Sequence, residues 1–185
     1  MSDHYAYHKV GQDIAHNKEN LIHVVTYNFK SPNHMYLVEI EKYKHNTFVI
    51  KYFLKKHKKN KYRYNLLSGE FKCRPIVMTV INILMDILNR HVAGSFAFIG
   101  AHTTNRKGKD LETKNNTKRF RVYRRLVENK IGPKTFTHYQ SENGSGYLLI
   151  NNQLPDVNKA KDNITAMFKR EYPELSGLVV TCQNE

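Results

Sequence analysis

The sequence predicts an α+β fold, a mixed and mainly antiparallel sheet with three main helices, on two observations. Residues 22–56 run in short β-branched and aromatic stretches broken by turn residues, whereas from Arg74 the apolar period becomes helical. A strand-length apolar run at 95–100 then separates this helix from a second amphipathic one, the alternation expected of a layered α+β domain.

The first twenty residues, MSDHYAYHKVGQDIAHNKEN, are polar and rich in His without periodicity, and are expected to form an N-terminal arm, with residues 21–185 as one domain. IHVVTYNF (22–29), MYLVEIEKY (35–43) and TFVIKYFLKK (47–56) read as an antiparallel meander. Pro32, Asn33 and Asn46 supply the turns between them. KYRYNLL (61–67) alternates and is either a fourth strand or a loop. Pro75 suits a first helical turn, and Ile76, Val77, Val80, Ile81, Leu84, Ile87 and Leu88 make a wide apolar face. Thr79, Asn82, Asp86 and Arg90 leave a narrow polar seam, and Gly94 closes the helix.

SFAFIG (95–100) is expected to cross back into the same sheet. A long polar loop (101–116) follows, of a length usually tied to function or disorder. NNTKRFRVYRRLVENK (115–130) is the second helix, stopped near Gly132-Pro133. TFTHYQ and GYLLINN form a hairpin around SENGSG, and residues 157–173 form a third helix with Ile164, Met167 and Phe168 inward. GLVVTCQ (177–183) is a candidate terminal strand.

Thirty Lys and Arg oppose sixteen Asp and Glu, a formal charge of +14 that favours an anionic partner: nucleic acid, an acidic protein or an anionic membrane surface. Cys73 and Cys182 are too few for a disulfide framework and fit a reducing compartment. There is no apolar leader and no stretch of eighteen apolar residues, so a cytoplasmic protein without membrane contact is expected. Abundant Lys, Asn and Tyr with no Trp suits an AT-rich genome such as that of a phage or mobile element.

Two segments concentrate the charge. From Lys42 to Arg63 there are nine Lys and Arg and no acid, and Lys55, Lys56, Lys58, Lys59, Lys61 and Arg63 surround Tyr62 and Tyr64, a mixture suited to phosphate contacts beside base stacking. In the second helix Lys114, Lys118, Arg121 and Arg125 fall within a sector of about 60° at about 100° per residue, opposite Phe120, Val127 and Ile131. Arg grips phosphate through two parallel hydrogen bonds, which makes this stripe the sharper candidate.

Ten His residues include no H-x-H or H-E-x-x-H pattern, and only His4 and His8 have helical spacing, so no metal site is expected. Glu39 and Glu41 share one strand face beside lysines. Asp86, His102, His138, Ser68 and Cys73 have no visible catalytic partner in sequence.

The order of elements resembles the core of the GNAT superfamily of acyltransferases across about residues 22–152. Asn116-Thr117-Lys118-Arg119-Phe120-Arg121-Val122-Tyr123 is similar to that family's N-x-x-A-x-x-[LV]-Y motif at Asn116, Val122 and Tyr123. The resemblance implies acetyl-coenzyme A as cofactor, Asn116 as a cofactor-binding residue and Tyr123 as the general acid protonating the departing thiolate. Two departures go with it. LLSGEFKCRPIV stands where the family has a glycine-rich pyrophosphate loop, and Arg119 replaces the small motif residue. FAFIG followed by R-V-Y also resembles small uncharacterised proteins of Bacteroidetes and their phages.

The leading expectation is therefore a basic, non-catalytic protein on a GNAT-like scaffold that binds nucleic acid or another polyanion, without a cofactor. The alternatives are an acyl-coenzyme A-dependent N-acyltransferase with a divergent cofactor loop, and a phage structural or protein-interaction protein.

Overall fold

A computed structural model describes residues 3–14, 18–70, 72–172 and 181–182. Its elements are β1 (Tyr7–Ile14), β2 (Leu21–Lys30), β3 (Met35–Tyr43), β4 (Thr47–Leu54), α1 (Cys73–Arg90), β5 (Ser95–Ile99), α2 (Lys118–Lys130), β6 (Phe136–Ser141), β7 (Gly146–Asn151), α3 (Val157–Glu171) and β8 (Thr181–Cys182). The strands form one sheet in the order β1-β2-β3-β4-β5-β7-β6-β8. Every pairing is antiparallel except β4 with β5. The α+β class, the mixed and mainly antiparallel sheet and the three helices agree with the sequence reading.

Alternation along the strands sorts side chains onto two faces. Tyr36, Val38, Ile40, Phe48, Ile50 and Leu149 meet α1 and α2. Tyr43, Val49, Leu148 and Ile150 meet Ile164, Met167 and Phe168 of α3, the three residues the helical period selects. Each of these fully buried apolar side chains stabilises the fold by about 1.5–3 kcal/mol relative to exposure.

Local capping places both later helices. Thr117 is the N-cap of α2, its Oγ1 accepting from Phe120 N at 3.1 Å, and Asp156 caps α3 by accepting from Lys159 N at 2.8 Å. Thr117 Oγ1 also donates to Gly100 O at 2.5 Å, joining the start of α2 to the end of β5. Gly100 is required there, because a Cβ would overlap the backbone N and Cα of Phe120.

At four places the structure adds to or corrects the sequence reading. Residues 7–14 of the polar N-terminal segment form an edge strand. The polar seam of α1 receives this N-terminal segment: Thr79 Oγ1 accepts from Tyr5 N at 2.9 Å, and Asp86 Oδ2 accepts from Tyr7 Oη at 2.6 Å. Of the two readings open for residues 61–67, the structure shows the loop, built of turns. Asn116 and Lys114 precede α2 instead of lying on it, because Thr117 already occupies the cap and Asn116 adopts φ 47°. Of the predicted terminal strand only Thr181 and Cys182 are described, paired with β6; residues 177–180 and 183 lie outside the described residues. No helix among the described residues is long and apolar enough to cross a membrane.

Candidate active site

The parallel pair is short. β4 and β5 are in register only at Thr47–Ser95, Phe48–Phe96 and Val49–Ala97, after which the strands part. β4 continues along β3 to Leu54 paired with Tyr36, and β5 continues along β7 to Ile99 paired with Gly146. Beyond Val49, the edge of β4 facing the gap therefore has no strand partner among the described residues, and alternate residues of 50–54 turn backbone N–H and C=O groups into it. A cleft of about 410 Å3 fills the gap, reaching both faces of the sheet, with α1 and α2 on one side and Lys51, Tyr64 and Tyr172 on the other.

On the helical side the Tyr52 and Tyr123 hydroxyls hydrogen-bond each other. Burial raises both phenols above their ordinary range; for Tyr123 the nearby Arg119 guanidinium partly opposes this. Tyr123 is thus a neutral, proton-bearing group at neutral pH. Its ring also meets Phe98 of β5 edge-on, with centroids 5.9 Å apart. Helical spacing from buried Phe120 and Val127 aims Tyr123 at the split.

Arg119 lines the same cleft and is fully engaged. Its guanidinium donates to the carbonyl oxygens of Tyr64, Asn65 (3.4 Å) and Leu66 (2.7 Å). It straps the β4–α1 connection to α2 and forms part of the wall.

The opposite side holds a compact polar cluster. Lys51 Nζ donates to Glu41 Oε1 at 2.8 Å, while Tyr43 Oη at 3.0 Å and Tyr172 Oη at 2.7 Å donate to Glu41 Oε2. Burial works against both charges. For Glu41 the Lys51 ammonium and the Tyr172 hydroxyl outweigh it, so the carboxyl sits below its usual range; for Lys51 burial prevails and its pKa is lowered. Tyr64 donates to Glu39, the strand-face neighbour of Glu41.

The sequence-predicted basic residues divide. Lys55, Lys56, Lys58, Lys59 and Lys61 are exposed. Arg63 is committed to the fold, its guanidinium 4.6 Å from the Tyr64 ring centroid and 3.7 Å from Glu39. Lys118, Arg121 and Arg125 are exposed on α2, and Arg121 donates to Asn116 O. Asn116 does not line the cleft; its N donates to Glu142 O at 2.9 Å, and its buried Oδ1 has no hydrogen-bond partner among the described residues.

The long loop joins these segments. Thr104 N donates to Asn65 O at 3.1 Å and Asn65 Nδ2 to His102 O at 2.9 Å. Gly108, at φ 87°, lies so close on the Tyr62 ring that a Cβ would overlap it. Exposed Arg106, Lys107 and Lys109, which sequence reasoning did not single out, thereby sit beside the Lys55–Lys61 segment near the C-terminal end of β4. Their signal was the R-K-G-K run within an over-long loop.

Of the remaining singled-out groups, Cys73 is an exposed free thiol, while His102 and His138 have structural partners. His102 Nε2 lies 2.9 Å from Asp110 Oδ1, and His138 Nδ1 lies 2.8 Å from Tyr147 Oη. Among the described residues no three His, Cys, Asp or Glu side chains gather as a metal site would need. No protein-family model, curated protein or solved structure matches this chain.

Proposed function

We propose that the protein is an acyl-coenzyme A-dependent acyltransferase of GNAT type, with the β4–β5 split as its cofactor cleft and Tyr123 as its general acid. One observation carries this reading: the two parallel strands separate after Val49 and Ala97, and a partly buried, protonated Tyr123 lines the gap. An extended arm bearing amide groups suits a strand edge whose N–H and C=O groups have no strand partner among the described residues, since it extends the ladder much as an added strand would. A highly charged nucleotide end suits the exposed lysines and arginines on the loops near the cleft's end.

In such a reaction the acceptor amine attacks the thioester carbonyl, the C–N bond forms and the C–S bond breaks. The departing sulfur takes the Tyr123 proton, and the proton shed by the amine replaces it. The acceptor enters from the α3 side, where Lys51, Glu41 and Tyr172 line or adjoin the cleft. The family's glycine loop is absent, so the phosphates rely on side-chain cations more than on a backbone cradle.

The test is calorimetry with acetyl-coenzyme A. Saturable binding that survives Tyr123→Phe, with thiol release slowed by about 10²-fold or more in that variant, supports the reading. Absence of saturable binding to the folded protein contradicts it.

A second reading, polyanion binding by the basic loops themselves, is favoured by the clustering of Lys58, Lys59, Lys61, Arg106, Lys107 and Lys109 on docked loops. It requires affinity for generic single-stranded nucleic acid that falls steeply with salt, with a slope that drops by about 0.7 for each phosphate-contacting cation removed.

A further inference from the structure

A separate cavity of about 230 Å3 lies at the other end of the sheet, under β1–β4 and the last turn of α1. Its walls carry Lys9, His23, Lys42, Arg90 and His91, and no carboxylate. Four elements deliver these groups: β1 gives Lys9, β2 His23, β3 Lys42 and α1 the Arg90-His91 corner. His23 and Lys42 are direct cross-strand partners and so project from the same face. Phe48 forms the floor between them, with Lys42 Nζ 5.6 Å and the His91 ring 5.0 Å from its ring centroid.

Nothing in the described residues neutralises this set. Lys9 Nζ contacts neutral Gln12 Oε1 at 2.8 Å, and none of Lys9, Lys42 and Arg90 forms an ion pair among the described residues. Asp86 on the same helix is bound to Tyr7 Oη at 2.6 Å and does not line the cavity. Burial first, then Lys42 and Lys9 for His23, and Lys42, His23 and Arg90 for His91, push both imidazoles below their ordinary pKa. Like charges gathered around a concave, partly dry surface repel one another. Only an anion seated among them turns that repulsion into attraction.

We propose that this cavity binds the phosphate or diphosphate group of a small molecule, gripped by Lys42 and Arg90, with Lys9 at the rim and the His23 and His91 rings as wall donors. A space of this volume holds a diphosphate, whereas a nucleic-acid duplex cannot enter it. The site is distinct from the β4–β5 cleft and does not depend on acyltransferase activity.

The test titrates inorganic pyrophosphate, and separately ADP, into the full chain while following the histidine ring signals by NMR. Saturable shifts at His23 and His91 with His138 unmoved are expected for pyrophosphate, and Lys42→Gln with Arg90→Gln should weaken binding by roughly tenfold or more. Tighter binding of ADP assigns a nucleotide as the source of the phosphate, and equal binding assigns a free diphosphate. A Lys58→Gln, Lys59→Gln, Lys61→Gln variant should bind as the unaltered protein does. Absence of saturable pyrophosphate binding, shifts that bypass His23 and His91, or an equal loss in the lysine-loop variant overturns the proposal. Binding of nucleic acid without pyrophosphate binding overturns it as well.

Discussion

The hydroxyls of Tyr52 on β4 and Tyr123 on α2 hydrogen-bond each other across the split in the sheet, with ring centroids 5.8 Å apart. They are 71 residues apart in sequence, and their meeting depends on Gly100, which lets α2 start against the end of β5. Tyr52→Phe removes only the partner of the proposed acid. It should lower stability by about 1 kcal/mol in denaturant titration and slow thiol release far less than Tyr123→Phe does. Equal losses of turnover in the two variants would make the pair a single structural unit.

Gly100→Ala should be strongly destabilising, because its Cβ meets the backbone of Phe120 and not only a side chain that can rotate away. A loss of about 3 kcal/mol or more is expected. Gly11→Ala and Gly132→Ala, with nothing within 4 Å of the added carbon, serve as near-neutral comparisons in thermal unfolding.

Arg119→Ala should release the β4–α1 connection. Three carbonyl bonds disappear, and amide hydrogen exchange at residues 62–68 should accelerate more than exchange in the core strands. Arg119→Lys should restore little, since an ammonium cannot reproduce the planar fork that spans consecutive carbonyls.

The Glu41–Lys51 pair makes stability depend on pH. Glu41 has its folded-state pKa below the unfolded value of 4.5, so its ionised form contributes fully above that value. The contribution is lost as pH falls through the folded value, because the unfolded chain takes up the proton first. Lys51→Met alone strands a buried carboxylate and should cost about 3–5 kcal/mol, and adding Glu41→Gln should recover a large part of it. Urea titrations of the single and double variants between pH 3 and 7 measure both effects.

The meander, the buried first helix and the crossover strand were legible because each writes its own periodicity. β1 was not, since nearly all of Tyr7–Ile14 is exposed and its anchors, Tyr5 and Tyr7, find partners more than seventy residues away on α1. The seam of Thr79 and Asp86 was visible, but the strand segment that fills it was not. In the cleft, Tyr123 stood out by its helical position. Tyr52 and Lys51 looked like ordinary alternating strand residues, because only the early end of the β4–β5 ladder exposes them. Arg119 stood out only as a long side chain in place of the small motif residue, since sequence gives side-chain length but not the three carbonyls that orient it. The basic side chains of the second cavity, its two histidines included, come from four elements and show no local pattern at all.

The most direct measurement is an acetyl-coenzyme A titration of the unaltered protein followed by backbone amide NMR. An open, cofactor-accepting split predicts saturable shifts at residues 50–54 and at Phe98, Ala101 and Tyr123, retained in Tyr123→Phe. No saturation, or shifts confined to the Lys55–Lys61 loop, would contradict it.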